Sequence, residues 1–79
     1  MVTYEQRVAQ MQEPEDVDKQ LLKAKKYAMN LHKEAKSPSL SLDEKLAIHE
    51  KAKEADRVLR KLRQNSFDLD DMLAARQLA

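Results

Sequence analysis

The sequence predicts an all-α fold, a long antiparallel helical hairpin flanked by two short helices. Three observations lead to this prediction. The 79-residue chain has no glycine and only two tyrosines and one phenylalanine, which argues against tight β-hairpins and sheets. Apolar residues recur at alternating steps of four and three along two long stretches. A single proline-containing break, residues 37–41, separates these stretches.

The first residues predict a short helix over about 4–12. Thr3 is followed three residues later by Gln6, which is the spacing of a capping box. The apolar residues of this segment follow at helical spacing: Tyr4, Val8 and Met11. A helix of this length is unstable in isolation, so the arm formed by residues 1–13 must either dock on the rest of the chain or fray.

A second helix is predicted from about 14 to 36. Pro14 suits its first turn, where a missing backbone N–H costs nothing. The residues expected to face the core have the spacing of a coiled-coil seam: Val17, Leu21, Ala24, Ala28, Leu31 and Ala35. The opposite side carries a stripe of lysines, which is typical of a solvated helix face: Lys19, Lys23, Lys26 and Lys33.

The break at 37–41 ends one long helix and starts the next. Pro38 disfavours helical geometry at the residue before it, and Ser41 with Glu44 three residues later predicts a capping box for a helix over about 42–64. So short a connection makes the two long helices antiparallel neighbours. We therefore expect close pairs across the hairpin, including Ala24 with Ala52 and Leu31 with Leu46.

A fourth helix is predicted over about 69–78. Asp68 is its expected N-cap, and Phe67 with Met72 is expected to form a hydrophobic staple across that cap. The segment Ser66–Leu73 also resembles the acidic–hydrophobic docking segments of transcription activation domains, which implies a free recognition helix. The alternative, favoured by the cap and staple, is a terminal helix packed on the bundle.

The chain is expected to form one domain over residues 1–79. It comprises the N-terminal arm of residues 1–13, the hairpin of residues 14–64, and the C-terminal helix of residues 65–79. Each long helix has two apolar faces, and the hairpin covers only one of them. Either the two arms fold back to complete the bundle, or two chains pair into a dimeric four-helix core. The small core of the hairpin alone favours a homodimer.

No residue pattern indicates chemistry. His32 and His49 lie on different helices without the spacing of a metal site, and the chain has no cysteine. The acidic group Asp68, Asp70 and Asp71 has no glycine-rich loops around it to shape a pocket. We expect no enzyme activity, metal or cofactor. The absence of a long apolar run predicts a soluble, cytoplasmic protein that does not bind membranes.

Surplus apolar surface predicts a non-enzymatic protein–protein interaction module, such as an adaptor, inhibitor, assembly or chaperone-type subunit. Its partner is expected to be another protein, a second copy of the chain, or both. The candidate contact residues are the apolar positions outside or beside the predicted seams: Leu22, Tyr27, Met29, Leu46, Val58, Phe67, Leu69, Met72 and Leu73.

The alternative is a nucleic-acid regulator built as a dimeric hairpin, which resembles Rop-type plasmid regulators in shape. Net charge is +1 for the chain, but residues 19–63 carry 13 basic and 6 acidic residues, a local excess of +7. The candidate basic surface is Lys19, Lys23, Lys26, Lys53, Arg57, Arg60 and Lys61. Interspersed acids and few aromatic residues argue against this alternative.

Overall fold

A computed structural model describes residues 2–78 and contains four helices and no strand in that part of the chain. The helices are α1 (Tyr4–Ala9), α2 (Glu15–Ala35), α3 (Leu42–Gln64) and α4 (Ser66–Leu78). The prediction of an all-α hairpin flanked by two short helices is confirmed, and α2 with α3 forms the most extensive helix pair. The molecule is a rod of 52 × 17 × 14 Å. The predicted domain also includes residues 1 and 79, which lie outside the described residues.

Both predicted capping boxes form. The Oγ1 of Thr3 accepts the backbone N–H of Gln6 at 3.2 Å, and Gln6 Oε1 accepts the backbone N–H of Thr3 at 2.9 Å. The Oγ of Ser41 accepts the backbone N–H of Glu44 at 3.2 Å, and Glu44 Oε1 accepts the N–H of Ser41 at 3.4 Å. These bonds satisfy amides that the first helical turn leaves free, so they fix where α1 and α3 begin.

α1 ends at Ala9, earlier than residue 12 as predicted, because the chain turns a corner into α2. The carboxylate of Asp16 accepts the backbone N–H groups of Gln12 at 2.9 Å and Glu13 at 3.1 Å. These two bonds hold the pKa of Asp16 below its usual value, and the bond from Gln12 has the largest effect. The charge of nearby Lys19 lowers this pKa further. One side chain thus organises the connection between the two helices.

α4 begins at Ser66, so the predicted cap at Asp68 is wrong. Only Asn65 separates α3 from α4: its N–H donates to the carbonyl of Lys61 at 3.0 Å, and its own carbonyl accepts the N–H of Leu69 at 2.9 Å. Asp68 consequently lies in the first turn of α4. Phe67 is inside the helix and 81% exposed, which places it outside the predicted staple position.

The larger of two hydrophobic clusters joins both arms to the hairpin. Its buried members come from the α1–α2 connection and from α2, α3 and α4: Met11, Val17, Ala24, Val58, Leu59, Leu62, Leu69 and Leu73. Tyr4 and Val8 of α1 pack against it. Of the two arrangements that the sequence allows, the fold-back of the arms is therefore present within a single chain. The homodimer stays a prediction.

The smaller cluster shows that the long helices pair in a different register from the one expected. Leu31 and Ala28 cluster with Ala52 and Ala55, whereas Leu46 is exposed. Relative to the predicted Leu31–Leu46 pair, α3 is displaced by about two turns. The connection from 36 to 41 is long enough to let α3 begin beyond the end of α2, and a large leucine then packs on two small alanines.

Candidate functional site

One side of the hairpin, here called the covered face, carries α1. The amide nitrogen of Asn65 donates to the hydroxyl of Tyr4 at 3.3 Å, and the ammonium of Lys61 lies 4.5 Å from the centre of the Tyr4 ring. A groove of about 260 Å³ lies between α1 and α3. The residues of α3 that line it have helical spacing: Glu54, Arg57, Val58 and Lys61. This spacing defines the side of α3 that faces α1.

A buried arginine anchors α1 to α2. Arg7 is only 6% exposed and donates from Nη1 to Oε1 of Gln20 at 3.2 Å. Gln20 in turn donates to Oε1 of Gln10 at 3.1 Å, and the guanidinium lies 5.9 Å from the ring centre of Tyr27. Burial lowers the pKa of Arg7 below its usual value, with Tyr27 acting in the opposite direction. No ion pair within residues 2–78 involves Arg7.

The hairpin has a second side, away from α1, on which the residues of α2 and α3 are mostly exposed, and we call it the open face. There Nε2 of His32 on α2 lies 2.9 Å from Oδ2 of Asp56 on α3. A depression of about 250 Å³ beside this pair is lined by Asp56, Leu59, Arg60 and Arg63. Asp56, Arg60 and Arg63 follow one another at steps of four and three, so they share one side of α3.

Heptad spacing identifies the remaining residues of the open face, because positions seven apart lie on the same side of a helix. Two neighbouring rows on α2 are Asp18, Lys25 and His32, and Leu22, Met29 and Lys36. Two neighbouring rows on α3 are His49, Asp56 and Arg63, and Leu46, Lys53 and Arg60. The His32–Asp56 contact brings the two sets of rows together. The open face therefore carries five lysines and arginines, two aspartates and three large aliphatic side chains.

The structure divides the predicted apolar contact residues into two groups. Five are exposed: Leu22, Met29, Leu46, Phe67 and Met72. Val58, Leu69 and Leu73 lie in the larger cluster, and Tyr27 packs half-buried on the smaller one, which removes these four from the candidate surface. Leu42 and Leu78, which were not among the predicted contact residues, are 73% and 91% exposed. For Leu42, its four-residue step to Leu46 was the available signal.

The predicted basic residues do not form one surface. Arg57 and Lys61 line the groove under α1, whereas Arg60 lies on the open face. Several have local partners: Lys19 with Asp16 at 3.7 Å, Lys53 with Glu50 at 3.6 Å, and Arg57 with Glu54. Lys25, Lys36 and Arg63 belong to the open face and were not among the predicted basic residues, although their heptad rows could be read from the sequence.

No three His, Cys, Asp or Glu side chains within residues 2–78 come together as metal ligands. None of the described helices has the length and apolar character needed to cross a membrane. Comparison with known proteins gives no match: no protein-family model, no curated protein and no solved structure is significantly similar to this chain.

Proposed function

We propose that the chain is a non-enzymatic protein-interaction module that presents exposed apolar helix surface to another protein. The observation that supports this proposal is a bundle whose core is filled by its own arms and which still exposes large hydrophobic side chains. These residues are Leu22, Met29, Leu42, Leu46, Phe67, Met72 and Leu78. Exposed apolar residues that recur on the same helix sides are typical of surfaces that other proteins cover.

The exposed apolar residues support an interaction role because the core of the bundle is already filled without them. Met11, Leu69 and Leu73 already occupy the spaces that the hairpin leaves beside its seam. The exposed leucines and methionines therefore do not contribute to closing the bundle. Leu22 and Met29 lie seven residues apart on α2, so they present a continuous strip for a partner to contact.

Capture experiments with matched variants test this proposal. The immobilised chain is incubated with lysate of the source organism, and retained proteins are identified by mass spectrometry. The test variant combines Leu22→Ser with Met29→Ser. Its control combines Lys23→Ser with Asn30→Ser, at exposed positions one residue further along the same helix and with the same spacing.

We expect a protein that is retained by the wild type and by the control but lost from the test variant. Circular dichroism must show equal helicity in all three chains, because the altered residues lie outside the core. Equal retention by the test variant would contradict the proposal. Retention of nucleic acid alone, falling steeply with salt, would support the nucleic-acid alternative instead.

A further inference from the structure

We infer that the open face binds an acidic amphipathic helix of a partner protein. This inference rests on the proposed function and names the chemistry of the partner. Its first basis is exposure. Eleven of the twelve residues that form the rows of the open face are exposed, and the twelfth, Asp56, is half-buried. A partner helix can pack along such an exposed helical surface.

The charges of the open face specify an acidic partner. Its five basic residues are Lys25, Lys36, Lys53, Arg60 and Arg63, and they outnumber its two acidic residues, Asp18 and Asp56. Asp56 already contacts His32, and Lys53 forms an ion pair with Glu50. Lys25, Lys36, Arg60 and Arg63 have no ion pair within residues 2–78. Glutamates on a docked helix would complement this excess.

The apolar residues of the same face favour a helix over a nucleic acid. Leu22 and Met29 on α2 and Leu46 on α3 are exposed members of the rows that form this face. Aliphatic side chains at these positions match leucines that recur every three or four residues on an amphipathic helix. They offer neither hydrogen bonds nor stacking to a nucleic acid, and Asp18 and Asp56 on the same face would repel its phosphates.

Binding of synthetic peptides tests the inference directly. The probe is a helical peptide of about 20 residues, with leucines on one face and glutamates elsewhere, which matches the length of α2. A second peptide replaces every glutamate with glutamine and so keeps the apolar face. The third probe is a short DNA duplex. Each carries a fluorophore, and its anisotropy is followed as the full-length chain is added.

Two charge-reversal variants locate the site. Lys25→Glu with Arg60→Glu changes one exposed residue of the open face on each long helix. Lys23→Glu with Lys51→Glu makes the same change of charge at exposed positions on the opposite side of each long helix. We expect the acidic peptide to bind about tenfold more weakly to the first variant, and to keep its wild-type affinity for the second. We also expect the glutamine peptide to bind the wild type about tenfold more weakly than the acidic one.

Several outcomes would overturn the inference. They are no binding of the acidic peptide at millimolar protein, equal binding of the glutamine peptide, equal losses in both variants, or tighter binding of the duplex. The proposed function can still hold in these cases. A lysate partner that needs Leu22 and Met29 but binds the Lys25→Glu, Arg60→Glu variant normally would keep that function and refute an acidic helix as its ligand.

Discussion

At the residue scale, Arg7 determines how the short N-terminal helix sits on the bundle. Six residues of helix bury little apolar surface, so specific polar contacts matter more for α1 than for the long helices. The bond from Arg7 to Gln20 places a charged donor in a buried position without a carboxylate partner in the described chain. Removing either partner leaves the other unsatisfied, which makes this contact costly to break.

Arg7→Ala is therefore expected to release α1 while the hairpin stays folded. The lost charge-assisted bond, which leaves Oε1 of Gln20 without its donor, should cost about 1–3 kcal/mol of docking free energy. Hydrogen exchange measured by NMR should show faster exchange of the α1 amides and little change in the middle of α3. Arg57→Ala, at an exposed position, is the control. Unchanged protection of α1 in the Arg7 variant would show that its apolar contacts suffice.

Asp16 makes the corner between α1 and α2 sensitive to acid. Its pKa is lower in the folded chain than in the unfolded chain, so its contribution to stability is present above the unfolded pKa of about 4. The contribution is lost as pH falls through the lower, folded pKa. Denaturant unfolding should show Asp16→Ala to be less stable than wild type at neutral pH, with the difference shrinking below about pH 4.

The same substitution at Asp18 provides the control for this pH dependence. Asp18 is exposed, and its side chain has no hydrogen bond or ion pair within residues 2–78, so its removal should produce a smaller difference at neutral pH. A difference between wild type and Asp16→Ala that stays constant down to strongly acid pH would mean that the carboxylate charge does not hold the corner.

At the element scale, α4 is apolar on both sides, but only one side is packed. Leu69 and Leu73 are buried in the larger cluster, whereas Phe67 and Leu78 point into solvent. The sequence shows that the helix is apolar. It does not show which side docks, because both sides carry large hydrophobic residues at helical spacing. The start at Ser66, directly after α3, sets the orientation that turns Leu69 and Leu73 inward.

Truncating a side chain on the packed side of α4 should lower the stability of the fold much more than truncating one on its exposed side. Leu73 is fully buried, so Leu73→Ala is expected to destabilise the fold by about 2–5 kcal/mol. Phe67→Ala should change the free energy of unfolding by less than about 0.5 kcal/mol. Chemical denaturation measures both. A large effect at Phe67 with a small one at Leu73 would reverse the assigned orientation of α4.

The start of α3 offers a test at one cap. Ser41→Ala removes the hydroxyl that accepts the N–H of Glu44 and should cost about 1 kcal/mol in denaturant unfolding. Ser39→Ala, two residues earlier, removes a hydroxyl that contacts only Ser37 in the same exposed loop. It should have little effect. Equal losses in the two variants would mean that the loop, and not the capping box, stabilises this end of the hairpin.

At the scale of the whole molecule, the sequence predicted the helix starts better than it predicted how the helices pair with one another. The caps at Thr3 and Ser41 depend on residues three apart, so the sequence alone was enough to place them. The hairpin register depends on which side chains interlock, and alanines allow several alternatives. The two faces of the hairpin can be distinguished only from the contacts that Arg7 makes with Gln20 and that His32 makes with Asp56. Both contacts join residues that are distant in sequence, so the sequence alone does not predict them.

The residues of the candidate site could be predicted from the sequence only in part. Exposed leucines and lysines could be proposed from periodicity, but their division between a covered and an open face depends on where α1 docks. Arg57 and Arg60 are three residues apart and lie in different grooves. A basic stretch of sequence thus becomes two separate surfaces.

Small-angle X-ray scattering over a range of concentrations tests most directly whether one chain closes its own bundle. The arms fill the core in the single chain, so we expect a particle of 9.2 kDa with a radius of gyration close to the 15.1 Å of its Cα atoms, slightly enlarged by side chains and hydration. A particle of twice that mass at all concentrations would contradict this and favour the homodimer. A single chain with a much larger radius would mean that the arms do not dock.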